Sequence, residues 1–160
     1  MSTHCLAQIN IAHGRAPIDD PVMHGFASRL QEINEVAERS PGFLWRLTSE
    51  DGRSSGYVQA FDDPCMIVNV STWESLDALR AYVYRSEHSQ LVRARAKWFR
   101  PMSGPTVALW WVESHAVVTV EDGLEHLATL ARLGPTVAAF TFKQHFRCPE
   151  PCASSNRPTE

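Results

Sequence analysis

Apolar and polar positions alternate with a period of two in several short runs, and between those runs apolar residues recur at helical spacing. In "CLAQINIA", Cys5, Ala7, Ile9 and Ile11 alternate with Leu6, Gln8 and Asn10, the pattern that a pleated strand imposes on its two faces. "CMIVNVSTW" repeats it, with Met66, Val68 and Val70 on one face and Ile67, Asn69, Ser71 and Trp73 on the other. Between the two, "DDPVMHGFASRLQEINEVAERSPG" carries Phe26, Leu30, Ile33 and Ala37 on one stripe, opens on Asp19-Asp20-Pro21 and stops at Pro41-Gly42. This predicts an amphipathic helix. "FLWRL" predicts a short strand and "TSEDGRSSG" a surface loop.

Past the strand ending at Trp73, Ser71 or Thr72 is placed to cap "WESLDALRAYVY", whose Leu76, Leu79 and Val83 share a stripe. A second helical stretch is expected from Glu87 to about Arg100, closed by Pro101 and Gly104-Pro105. "TVALWWV" predicts a strand, "VEDGLEHLATLARLG" an amphipathic helix ending at Gly134, and "VAAFTFKQHF" a last strand. The chain thus reads as a single domain over 1–148 followed by a disordered tail over 149–160. The order of elements predicts an α+β fold of ferredoxin-like kind, an antiparallel sheet with helices on one face. The other face is then bare, and pairing of two copies would bury it.

Length agrees, since 160 residues suffice for one substantial core. A formal net charge of −3 with no long basic run gives no electrostatic basis for nucleic-acid binding. No run of 18 apolar residues is present, and the N-terminus lacks the layout of a secretion signal. A cytoplasmic protein with no membrane partner is expected. Cys5, Cys65, Cys148 and Cys152 are too few and too scattered for a disulfide framework.

Several segments in order, "LAQINIA", "INEVAERSPGFLWRL", "VNVSTWESLDALRAYVYRSEH", "RARAKWF", "LWWVESH" and "LGPTVAAFTF", resemble the DUF3291 family. The resemblance spans roughly residues 5–146. It implies a dimeric α/β-barrel fold and a homodimer. The wider group to which that fold belongs includes cofactor-free antibiotic-biosynthesis monooxygenases, cyclases, and haem proteins, so the resemblance implies architecture more sharply than chemistry.

The candidate chemistry lies on two elements. Gln8 and Asn10 on the first strand and Asn69 and Ser71 on the third fall on strand phases that a cavity can use. Buried amides need partners, from neighbouring strands, water or a ligand. In "YVYRSEHSQLVRARAKWFR", an ideal helix carries Val92, Arg95 and Phe99 on the side of His88, with Trp98 on an adjacent flank. The imidazole of His88 suits a general acid or base, or an axial haem ligand; Arg95 suits an anionic group. The resemblance puts a histidine at this motif position. Trp45 and Trp73 are candidates for excluding water from a pocket, with core packing as the alternative for both. His115 reads as a solvated loop residue, and His145, Cys148 and Cys152 match no established zinc spacing. No Gly-rich phosphate loop, GxSxG or CxxCH motif is present. Three readings follow. The first is a small-molecule enzyme without a cofactor or metal, of monooxygenase, cyclase or rearrangement type, in which His88 and Asn69 are catalytic and Gln8, Asn10, Trp45, Ser71, Trp73 and Arg95 bind substrate. The second is a haem protein ligated by His88, and the third a non-catalytic small-molecule binding protein.

Overall fold

The structure is a computed structural model that describes residues 3–85 and 93–149. Its centre is strand β1 (His4–Gly14), flanked on one edge by β3 (Met66–Trp73) and on the other by β5 (Val107–Glu113) along His4–Asn10 and by β4 (Phe99–Arg100) at His13–Gly14. β2 (Phe43–Arg46) extends the sheet beyond β3. All pairings are antiparallel, and the long strands run β2-β3-β1-β5, a ferredoxin-like order. The α+β antiparallel fold expected from the pattern is the one observed.

Register decides which side chains share a face. Leu6 lies opposite Trp73, Gln8 opposite Ser71 and Asn10 opposite Asn69, while on the other edge Gln8 meets Leu109 and Asn10 meets Val107. This face is covered by α2 (Leu30–Arg39) and α3 (Leu76–Arg85). Leu30 and Ile33 pack near Ile67, and Ala37 and Leu79 pack near Leu6 and Trp73. The opposite face carries Ala7, Ile9, Val68, Val70, Ala108 and Trp110, and it is not bare: α4 (Val120–Leu133) lays Leu127 and Leu130 on it. Helices therefore occupy both faces, which corrects the one-sided arrangement and removes the bare sheet as a reason for pairing. Gly123 permits the approach of α4, since a Cβ there would stand 2.6 Å from Cδ1 of Ile9.

Local details depart from the pattern in four places. The helix expected from Asp19 to Gly42 is broken into a 3-10 turn at Pro21–Met23, α1 (His24–Ala27) and α2. At the break the Arg29 N–H donates to the Phe26 carbonyl, and Phe26 packs edge-on to Phe99 with centroids 4.9 Å apart. Ser75, not Ser71 or Thr72, caps α3, its Oγ accepting from the Ala78 N–H; Ser71 and Thr72 are still inside β3. The helical stretch expected to reach Arg100 ends in a 3-10 turn at Arg95–Lys97, and Phe99–Arg100 is β4. Pro101 accounts for this, because a residue before proline is driven to extended backbone. The last expected strand is an irregular segment of turns and bends with isolated bridges, one of them the reciprocal pair of hydrogen bonds between Leu109 and Phe140. Its aromatic side chains, Phe140, Phe142 and Phe146, pack against the α3 side of the sheet.

α4 obeys its end signals. Thr119 and Asp122 form a capping box, and Gly134 ends the helix at φ 72°. No helix of the described residues is long and apolar enough to cross a membrane. Residues 150–160, most of the expected tail, lie outside the described residues.

Candidate functional site

Two adjoining cavities open between the polar sheet face and helices α2 and α3. The larger, about 140 Å³, is lined among others by Phe26, Ile33, Ile67, Ser54 and Arg95. The smaller, about 100 Å³, is lined among others by Gln8, Arg46, Ser71, Trp73 and Phe142. Asn10, Asn34, Asn69 and Tyr82 line both and form the polar waist between them.

The waist and the far wall differ in what their polar groups already hold. Gln8 Nε2 donates to Ser71 Oγ at 2.9 Å, and Trp73 Nε1 donates to the same oxygen at 2.9 Å. This chain of bonds fixes the orientation of three buried side chains, one bond crossing from β1 to β3 and the other lying within β3. Asn10, Asn34 and Asn69 make no side-chain hydrogen bond among the described residues. Asn10 and Asn69 face each other across β1 and β3, and Asn34 reaches in from α2. Three carboxamides thus present donors and acceptors to the same space.

Tyr82 closes the waist from α3. Its ring stacks on the indole of Trp73, centroids 5.1 Å apart and planes 23° from parallel. Burial pushes its phenol up to about 12, with the nearby Arg46 guanidinium pulling the other way. At neutral pH the group is an uncharged phenol. Arg46 itself donates from Nε to Glu38 Oε1 at 2.7 Å, and its Nη1 is buried with no partner among the described residues. Among the described lining residues the charged groups are Arg46 and Arg95; none is a carboxylate or an imidazole.

The remaining expected site residues separate. Arg95 is exposed at the wall of the larger cavity. Trp45 does not reach either cavity: it lies opposite Thr72 on the edge strand and is 39 % exposed. A register shift between Phe43 and Trp45 gives the cavity face to Phe43 and Arg46 instead. His88 lies outside the described residues. Phe99, expected on the side of His88, sits in β4 against Phe26, while Trp98 is 8 % exposed and anchors the cluster of Met23, Phe26 and Leu30. His115 is exposed, and His145 Nδ1 lies 3.2 Å from the carbonyl oxygen of Phe142. Asn34, Arg46 and Tyr82 were not apparent as site residues in the sequence. Asn34 left a signal, as an amide at helical spacing from both Leu30 and Ala37 on an otherwise apolar stripe.

These features define an α+β domain of ferredoxin-like architecture with a cavity under its helices. The family model described as "Domain of unknown function (DUF3291)" matches residues 5–156, and the chain belongs to that family. No curated protein matches it. Solved structures similar to it include a protein of unknown function from Nitrosomonas europaea, 13 % identical over 74 % of this chain and 97 % of that one, TM-score 0.46. Another is a candidate antibiotic biosynthesis monooxygenase from Chloroflexus aurantiacus, 16 % identical over 72 % and 98 %, TM-score 0.42. A third is MupZ from Pseudomonas fluorescens, 12 % identical over 94 % and 91 %, TM-score 0.43.

Proposed function

We propose that this protein is a small-molecule enzyme that works in the cavity between the polar sheet face and α2 and α3, without a bound cofactor. The observation that carries the reading is the convergence of Asn10, Asn34 and Asn69, each without a side-chain partner among the described residues, on one space beside Tyr82. Three amides, a neutral phenol and two guanidinium groups are donors suited to an oxygen that gains negative charge, such as an enolate. The group that removes the proton is assigned to His88, whose ordinary pKa range suits that task. Apolar walls from Phe26, Ile33 and Ile67 fit a compact aromatic or polyketide-like body. The cavity volumes favour this over the haem alternative. Even together, about 140 and 100 Å³ fall short of the ~300 to 1,000 Å³ of pockets for drug-sized ligands, and a macrocycle needs more. The homodimer implied by the family belongs to the same reading, supported by Leu44 and Trp45, which stand 46 % and 39 % exposed on the edge strand.

The test is a thermal-shift screen of small enolisable aromatic and polyketide-like carbonyl compounds, followed by turnover of those that bind. Asn69→Leu should keep the fold and weaken binding of any hit by about 1 to 3 kcal/mol, the cost of losing a hydrogen-bond partner. His88→Gln should keep binding and lose turnover. A hit that binds Asn69→Leu as tightly as the natural chain places the site elsewhere. Hits that bind in the cavity yet are not turned over by the natural chain leave a binding protein, not an enzyme.

A further inference from the structure

At the C-terminal end of β1, three side chains of different donor type that do not line the cavity meet. His13 Nε2 lies 3.1 Å from Asp63 Oδ2, and the donor atoms of His13, Asp63 and Cys65 all fall within 4.8 Å of one another. We propose that His13, Asp63 and Cys65 form a binding site for a single divalent cation of zinc type.

The donor set selects the ion. One imidazole nitrogen, one carboxylate oxygen and one thiol sulfur combine the borderline ligands that zinc accepts at about 2.0 to 2.3 Å, and they disfavour magnesium and calcium, which take oxygen alone. Tetrahedral bonds of that length put ligand atoms roughly 3.3 to 3.8 Å apart, so the His13–Asp63 separation is close to what an ion needs. Cys65 closes the remaining gap by rotation of a half-buried side chain.

The backbone holds the three residues together independently of any ion. Gly14 N–H donates to the Cys65 carbonyl at 2.8 Å, and Met66 lies opposite His13 in the β1–β3 ladder. Asp63 Oδ1 accepts from the Cys65 N–H at 2.8 Å, which orients the carboxylate and leaves Oδ2 toward His13. Gly14 is required here, because a Cβ would stand 2.8 Å from the Ala16 carbonyl and 3.2 Å from that of Cys65. His13 and Asp63 are 31 % and 46 % exposed, so an ion has an entry path and its fourth position is open to water. Of the charges near Cys65, Asp20 favours a cation and Arg100 opposes it. With the thiolate and carboxylate bound, the site is electrically neutral around a divalent ion.

The test uses the reduced 160-residue chain and Co²⁺ as a spectroscopic stand-in for Zn²⁺. The expected result is a thiolate-to-cobalt absorption band that saturates at one equivalent and is bleached by Zn²⁺, with Zn²⁺ also raising Tm. Cys65→Ser should abolish the band, His13→Asn and Asp63→Asn should each weaken binding about tenfold or more, and the Cys148→Ser, Cys152→Ser double variant should retain it. No band at tenfold excess of Co²⁺ overturns the proposal. So does a band that survives Cys65→Ser, or one that disappears in the double variant. Circular dichroism of Cys65→Ser separates loss of the site from loss of the fold, and if that variant is unfolded the His13→Asn titration decides: unchanged affinity there overturns the proposal.

Discussion

Gly123→Ala sets two effects of opposite sign against each other. Gly123 is a buried interior residue of α4, and on an exposed helix the exchange would stabilise by about 1 kcal/mol. Here the new Cβ would lie 2.6 Å from Cδ1, 3.1 Å from Cβ and 3.2 Å from Cγ1 of Ile9, a side chain with no exposed surface. Moving a fully packed isoleucine or lifting the helix costs about 1 to 3 kcal/mol, so packing outweighs propensity and the variant should lose roughly 1 kcal/mol. Ile9→Val removes Cδ1, the atom in closest conflict. Alone it should cost about 0.5 to 1.5 kcal/mol, but in the Gly123→Ala background it should cost less or stabilise, giving a coupling of about 0.5 kcal/mol or more. Urea unfolding followed by circular dichroism measures all four proteins, with unchanged m-values as the check on comparability. If Gly123→Ala is more stable than the natural chain by about the propensity gain, or if the two changes simply add, α4 does not lie on Ile9 and the second sheet face is open after all.

Trp98→Ala should cost about 3 to 5 kcal/mol, because the indole is 8 % exposed and fills the space beside Gly25 and Phe26; a midpoint in urea close to that of the natural chain contradicts its anchoring role. Tyr82 gives a pH signature: its phenol ionises near 10.0 when unfolded and at about 12 when folded. The folded state therefore holds the proton more tightly, and stability falls as pH rises from about 10 to about 12. Tyr82→Phe should flatten that fall, and an unchanged alkaline slope would show the phenol to be hydrated. Sedimentation at micromolar concentration should give a dimer that Trp45→Lys converts to monomer; a monomeric natural chain removes the edge-strand pairing while leaving the cavity reading intact.

The strands were legible where alternation was strict. Period two placed Asn69, Ser71 and Trp73 together and opposite Val68 and Val70, as the ladder has them. The same rule failed at β2, because the register shift between Phe43 and Trp45 puts Phe43 and Arg46 on one face; alternation alone hands the cavity to Trp45. Amphipathicity identified α4 and its ends, yet it states only that a stripe is buried, not against which surface, so the covered sheet face was invisible. Residues 137–146 alternate like a strand because Phe140, Phe142 and Phe146 are drawn toward the core, although only isolated bridges form. The cluster of His13, Asp63 and Cys65 had no sequence signature, since a strand end and a distant turn supply it.

Around the cavity, polar groups divide into those bonded within the protein and those without a side-chain partner among the described residues, and on the proposed reading this division would constrain how a ligand is held. The bonds from Gln8 and Trp73 to Ser71 are made within the protein, so a ligand that disturbed them would leave buried donors unpaired at about 1 to 3 kcal/mol each. Asn10, Asn34 and Asn69 can bond to water in the free protein, and a ligand that replaces those bonds gains only about 0.5 to 1.5 kcal/mol for each. Their contribution is therefore orientation and selectivity more than affinity. Affinity must come from the apolar walls, Phe26, Ile33, Ile67 and Phe99, at about 25 cal/mol per Å² removed from water. A ligand of the proposed kind that satisfied both would have an apolar body on the α2 side and an oxygen at the waist, beside Tyr82, whose phenol is kept neutral by burial.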